Sequence, residues 1–497
     1  MKTIVVCEED PSYAAALAHL LYVGITTLAL TQNQFKDVAV KVIGKTDDQF
    51  FDLDTATNLH ENDRRVLKLG ERVQTEEINR SLTGDGVRQT LALIRQHCLP
   101  DLQIREVASG TECFDWTVPD EWNVQQAYIV GPDGRKVVDF KDHNLHLVGY
   151  SEPVRCTLSL AELQPHLHSL PDMPDAIPYV TSYYKRRWGF CLPHKVREAL
   201  PEGDYEVVID ASLAPGSLTY GDWVLPGESE QEILLSSYTC HPSMANNELS
   251  GPCVGVFLMA WLASLPKRRY SYRLMLVPET LGAIVYLSRH LDHLKRHTLA
   301  GFNLTCLGDE RSYSFLPSRQ GNSLADRIGR HVLGHLAPGY KAYSFLERGS
   351  NERQLCAPGI DLPVTTLMRS KYGCYAEYHT SLDDLSLVTP AGLAGGFLAL
   401  RRAIECLELD ERCEVTVLGE PQLGKRGLYP DLSTRYSGWQ VREMMNLLAY
   451  SDGQLTLFEI AETIKVPFWR VAPLASMLLE AGLLRRLSPE PDYSITR

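Results

Sequence analysis

The stretch that most constrains this chain is SSYTCHPSMANNELSGPCVG, residues 236–255, because it joins an apolar run, a histidine and a polar turn that opens a second apolar run. Residues 232–238 are too short and too continuously apolar for an amphipathic helix and predict a buried strand. In open α/β sheets the chemistry gathers beyond the carboxyl ends of such strands. His241 follows at once, held by Pro242, and residues 245–251 supply amides and one carboxylate, Glu248, before residues 252–263 continue as an apolar helix. An imidazole and a carboxylate this close on one loop can share a metal ion. Taken alone, they read better as a hydrogen-bonded turn residue and a carboxylate at a helix start. The rest of the chain shifts the balance: VPETLG (277–282) puts Glu279 at the end of a second apolar strand, and EYHTSLDD (377–384) puts His379 after a third.

At 497 residues the chain exceeds one ordinary core, so two or three domains are expected. Its 62 acidic against 49 basic residues, a net charge of −13, argue against a general polyanion binder. The first apolar stretch breaks at Glu8, Glu9 and Asp10 before a signal-peptide core could form, and no segment reaches transmembrane length without charges. The expectation is a cytoplasmic protein with no membrane partner. Twelve cysteines lie scattered, several in apolar segments, with no C-x-x-C pair, which suits reduced, buried thiols.

Residues 1–70 read as a small α/β appendage, and 71–104 as the start of the main domain. From 105 to 192 short strands and turns predict an inserted β-rich domain. It contains Tyr183, Tyr184, Arg186, Arg187 and Trp188, a cluster that could stack bases; the acidic net charge favours instead a wall of the site or an interdomain contact. Over 193–415 strands (207–210, 232–238, 272–277, 301–307) alternate with helical stretches (254–265, 282–297), which predicts an α/β fold: a mostly parallel sheet flanked by helices. Residues 416–497 read as a winged helix whose second helix, 467–480, offers Arg470 as its one cation, so a protein contact is expected and nucleic acid is not.

The stretches SGTECFDWTVPDEWNV (109–124), DFKDHNLHLVGYSEPV (139–154), PYVTSYYKRRWGFC (178–191), TCHPSMANNELSGP (239–252), PSRQGNSLADR (317–327) and MRSKYGCYAEYHTSLDDL (368–385) give the chain, from about residue 79 onward, a close resemblance to bacterial aminopeptidase-like proteins. Those proteins carry an inserted β-domain and a C-terminal winged helix and are often encoded with polysaccharide or natural-product biosynthesis genes. They are more remotely similar to the co-catalytic zinc aminopeptidases. The resemblance implies a zinc-aminopeptidase-like fold, with His241 and His379 matching the first and last histidines of the two-ion site and Glu279 its general base. Asn247 falls where that design has its bridging aspartate, Thr280 where it has a second glutamate and Thr305 where it has a further aspartate. Relatives carry an aspartate in place of Asn351.

Three ligand positions without charge imply one zinc ion rather than two. His241, Glu248 and His379 are the expected ligands, with Asp309 in reserve and Asp383 and Asp384 orienting His379 or capping the next segment. Glu279 is the expected base for hydrolysis of an amide or peptide bond in a small substrate. Asn247, Arg319, Arg353, Arg369, Lys371, Tyr372 and Tyr378 are the expected substrate contacts, with Tyr375 lining the same pocket. The alternative is a non-catalytic scaffold working through the winged helix. Oligomeric state is left open, a homo-oligomer included.

Overall fold

The computed structural model describes residues 80–428 and 437–487. The expected appendage at 1–70 lies outside these residues. The described residues divide into two compact units, one formed by residues 80–326 and 340–397, the other by 327–339, 398–428 and 437–487.

The larger unit is built on an eight-stranded sheet. Its strands are β1 (Gln103–Ala108), β2 (Ser217–Leu225), β3 (Glu232–Tyr238), β4 (Ser271–Val277), β5 (Thr298–Asn303), β6 (Ser314–Leu316), β7 (Lys341–Ala342) and β8 (Val364–Met368). They lie in the order β1-β2-β4-β3-β5-β8-β6-β7. The centre is parallel, β4 with β3, β3 with β5 and β5 with β8; β1 and β2 run antiparallel to their neighbours, and β6 runs antiparallel to β8 and parallel to β7. Every residue of β3 and β4 is buried, which is why both read as unbroken apolar runs rather than alternating ones.

Three helices support this sheet: α1 (Asp85–His97), α2 (Ser250–Ser264) and α3 (Leu281–His297). Helix α2 opens on a π-helical turn, Ala245–Leu249, the irregularity that often marks a functional site. Gly251 lets α2 press onto the sheet, since a Cβ there would lie 2.3 Å from the carbonyl oxygen of Leu304. At the far end of the sheet Arg273 forms two bonds to Glu232, of 2.6 and 2.8 Å, and His293 joins them at 2.8 Å. This buried network ties the entering ends of β3 and β4, away from their carboxyl ends.

The inserted module holds a four-stranded antiparallel sheet of Lys136–Asp139, Glu121–Val130, Asp204–Ala214 and Val154–Ser159, in that order. Two boundaries differ from expectation. Gln103–Ala108 is an edge strand of the large sheet, and Asp204–Ala214, read above as part of the main domain, pairs along its length with Glu121–Val130 and Val154–Ser159. The pairing wins because the inward residues of this strand, Tyr205, Val207 and Ile209, complete a core with Trp122, Ile129 and Phe190.

The smaller unit contains helices Ser437–Tyr450, Leu457–Ile464 and Phe468–Glu480 and a three-stranded sheet of Asp452–Thr456, Arg412–Val415 and Leu484–Arg486. Thr456 caps the middle helix, its side chain accepting from the amide of Glu459 while the Glu459 carboxylate reaches back to the Thr456 amide. The domain begins a few residues before the expected 416, because Arg412–Val415 supplies its central strand. Arg470 forms an ion pair with Glu443 at 2.6 Å. Among the described residues no helix is long and apolar enough to cross a membrane, and the eleven described cysteines are free thiols.

Candidate metal centre

The carboxyl ends of β3 and β4 bring His241 and Glu279 together. Beyond β3 the Thr239 amide still bonds the Val277 carbonyl, at 3.0 Å, so the two chains leave the sheet side by side. The amide of Glu279 then donates to Cys240 Sγ at 3.1 Å. His241 is 5 % exposed, its Nδ1 2.9 Å from Glu248 Oε2 and its Nε2 3.7 Å from Glu279 Oε2. Arg80 donates from Nε to the His241 carbonyl at 3.1 Å. The π-helical turn aims Glu248 inward, and that turn is held by Asp383, whose carboxylate accepts from the amides of Asn246 at 2.6 Å and Asn247 at 3.0 Å and from the Tyr375 hydroxyl at 2.8 Å.

His379 arrives from the far side of the numbering. Its ring centroid is 5.4 Å from that of His241, and it is stacked on Tyr378 at 3.8 Å with the edge of Tyr179 at 5.1 Å. His379 has φ +58° and Thr280, next to the candidate base, φ +62°, a left-handed conformation uncommon for any residue with a side chain and strained for a β-branched one. The Thr280 amide is held by Asn351 Oδ1 at 3.1 Å.

Two polar atoms in this cluster are buried and bonded to nothing: His379 Nε2 and Glu248 Oε1. In a folded interior such atoms carry a desolvation cost unless something binds them. Among the described residues, one group of potential metal ligands has its donor atoms within 4.8 Å of one another, and it is Cys240, His241 and Glu248. The 2.9 Å between His241 Nδ1 and Glu248 Oε2 is a hydrogen-bond length, shorter than the edge of about 3.3 Å between two ligands of a tetrahedral zinc ion.

The electrostatics agree with a site for a cation. Burial, reinforced by the nearby His241, pushes His379 down to about 3, which keeps its ring neutral and able to ligate. Burial also opposes charge on His241, but Cys240, Tyr179 and Glu248 outweigh it and hold its pKa well above the usual range. Burial raises Glu279 above the ordinary carboxylate range, with His241 opposing.

Other expected residues are placed differently. Asp309 does not join the cluster, correcting its reading as a reserve ligand: Oδ1 accepts from Ser370 Oγ and the Arg311 amide, Oδ2 from the Ser370 amide and Asn246 Nδ2. A carboxylate saturated by four donors fastens loops. Asp383 braces the π-helical turn, and Asp384 caps a turn through the amide and hydroxyl of Ser386; neither bonds to His379. Asn247 and Thr305, two of the positions that carry carboxylates in the two-ion design, are bridged by the Tyr238 hydroxyl, 2.7 Å from Thr305 Oγ1 and 3.1 Å from Asn247 Oδ1. Neutral hydrogen bonds fill that corner.

Among the expected substrate contacts, Arg319 pairs with Asp361, Arg369 caps the Asp309 carbonyl and lies on the Tyr313 ring, and Lys371 sits between the Tyr343 and Tyr372 rings. Tyr372 donates to Glu352 at 2.5 Å. Tyr378 packs on His379, and Arg353 reaches Thr280 Oγ1 at 2.5 Å. Sequence reasoning passed over Tyr179, whose ring lies against both histidines, 5.2 Å from His241. Its amide bonds the His379 carbonyl at 2.9 Å, so the inserted module walls the site through Tyr179. The Tyr183 and Tyr184 rings pack instead on each other and on Tyr150 and Trp116.

A family model described as "Domain of unknown function (DUF4910)" matches residues 74–410, and one described as "winged helix-turn-helix" matches 411–486. The chain belongs to the DUF4910 family. Among family relatives, a Clostridium acetobutylicum protein named for polysaccharide biosynthesis and an aminopeptidase-like domain is 45 % identical over 417 residues, 82 % of this chain and 93 % of that protein. The crystal structure of a C. acetobutylicum protein named as a peptidase superposes with a TM-score of 0.77 at 41 % identity, over 87 % of this chain and all of the other. A zinc aminopeptidase from Bacillus subtilis gives a TM-score of 0.47 at 13 % identity, over 67 % of this chain and 91 % of its own. This DUF4910 member shares the fold of the C. acetobutylicum protein named as a peptidase, a large mostly parallel sheet flanked by helices, with a C-terminal winged helix.

Proposed function

We propose that this chain is a metal-dependent hydrolase that cleaves an amide or peptide bond in a small substrate. The observation that carries the reading is the meeting, beside the half-buried carboxylate Glu279, of His241 and Glu248 with the His379 ring 5.4 Å from that of His241, where Glu248 Oε1 and His379 Nε2 are buried and unbonded. Two histidines and a carboxylate form a set that suits zinc, with room in its coordination for one more ligand; His241, His379 and Glu248 would hold a single ion. Bound there, zinc lowers the pKa of a water to about 7 and polarises a carbonyl.

The chain's own part follows from Glu279. Its carboxylate, made more basic by burial, takes the proton of the attacking water at Oε2 and returns it to the departing nitrogen. Without the ion, Glu248 lies 2.9 Å from His241 Nδ1 and holds that ring in place. Tyr179 and Tyr378 pack the imidazole of His379 in place and keep solvent from its buried face. The name of the C. acetobutylicum relative suggests an intermediate of polysaccharide assembly as the substrate.

Asn247, Thr280 and Thr305 favour a second reading, a scaffold that kept the fold and lost the chemistry. Hydrolysis of a dipeptide panel by zinc-loaded protein, with Glu279→Gln as control, separates the two. We also read the winged helix as a protein-contact unit, because its third helix, Phe468–Glu480, has Arg470 as its one cation and Glu443 neutralises it. Fluorescence anisotropy with a labelled DNA duplex at low salt should show no saturable binding; micromolar affinity lost with rising salt would sink this reading.

A further inference from the structure

We propose that the amide cleaved here carries a carboxylate close to the scissile bond, and that Arg353 receives it. The inference rests on the hydrolase reading and adds the substrate class. Arg353 lies in the short helix Glu352–Leu355, half-buried, and its Nη2 donates to the hydroxyl of Thr280, the residue after Glu279. That is its one side-chain hydrogen bond among the described residues, while its Nε, out of solvent's reach, has no acceptor. It forms no ion pair with a described residue, whereas Arg273, Arg311 and Arg319 pair with Glu232, Glu377 and Asp361.

The nearest acid in sequence is not its partner. Glu352 is fully buried and turned away: Oε1 accepts from the amides of Gly349 and Ser350 and from the Tyr372 hydroxyl, Oε2 from Asn303 Nδ2. A guanidinium is always charged and presents five donors in a planar fork suited to a carboxylate. Glu279 acts on it through space but makes no hydrogen bond to it, so an anion delivered by the substrate would engage donors of the fork that the chain leaves unused. The position is built rather than loose, since Thr280 is pinned by Asn351 through its amide and by Arg353 through its hydroxyl.

The test uses the full chain loaded with zinc and two substrate pairs. Ala-Ala against Ala-Ala-amide places the charge on the departing side, and Glu-Ala-amide against Gln-Ala-amide places it on the acyl side. In one pair the acidic member should be favoured about tenfold or more in kcat/KM, mostly through KM, as expected for one charge-assisted contact. Arg353→Gln should bring that ratio to near one, and Arg353→Lys should restore part of it. Equal rates within both pairs, or a ratio that survives Arg353→Gln, would overturn the proposal. If no peptide is cleaved, the hydrolase reading fails by itself, and calorimetry of zinc-free protein with glutarate against glutaramide decides. Binding confined to the dicarboxylate and lost in Arg353→Gln supports the arginine site; no binding, or binding that the variant retains, rejects it.

Discussion

Glu279→Gln should lower kcat for amide hydrolysis by about a thousandfold, within the 10²–10⁴ range of a positioned general base, while leaving the fold intact. Glutamine has the same shape and removes only the capacity to accept and return a proton. The contacts that place the residue survive, because the bond to Cys240 Sγ comes from the backbone amide, and the closest approach to His241 Nε2 is 3.7 Å rather than a short hydrogen bond. The loss should fall on kcat rather than KM, since the carboxylate acts on the water and not on the bound substrate. Steady-state kinetics with unchanged circular dichroism and zinc content would check this. A variant keeping more than about a tenth of wild-type activity would remove Glu279 from the reaction.

Asp383→Ala should destabilise the larger unit by about 3–5 kcal/mol, the range for breaking a buried charge network from one side. Its carboxylate is fully buried and holds the Asn246 and Asn247 amides and the Tyr375 hydroxyl. Alanine leaves three donors without an acceptor in a place water does not reach. The π-helical turn should relax with them, and with it Glu248, so zinc affinity should fall together with stability. Asp383→Asn, keeping one acceptor oxygen, should lie between the two. Urea unfolding followed by tryptophan fluorescence measures the difference; a change under about 1 kcal/mol would mean that the turn holds itself.

Much of this architecture could be read from residue patterns, and the reasons are physical. β3 and β4 are buried on both faces, so their apolar runs carried the parallel sheet; the Gly482-Leu-Leu segment after three helical stretches carried the winged helix. Asp204–Ala214 was assigned to the wrong sheet because its partners, Glu121–Val130 and Val154–Ser159, are non-local, and a strand's own residues do not name the strand beside it.

At the site, His241, Glu248 and Glu279 were legible from their places just beyond strand ends. Asp309 was misread because what occupies it, Ser370 and Asn246, lies more than 60 residues away in sequence. Asp383 was expected at His379 because four residues separate them, but its backbone donors belong to a turn 136 and 137 residues earlier. Tyr179 gave no local signal: a tyrosine in an inserted module becomes part of the site only through the pairing of residues 177–179 with residues 379–381.

The most direct test of the account is the zinc content of purified protein, measured by plasma mass spectrometry after dialysis against trace zinc. The account predicts about one ion per chain in the wild type, as a three-ligand site requires, and close to none in His379→Ala. Wild-type protein that holds no zinc, or a His379→Ala variant that binds it undiminished, would contradict the central claim.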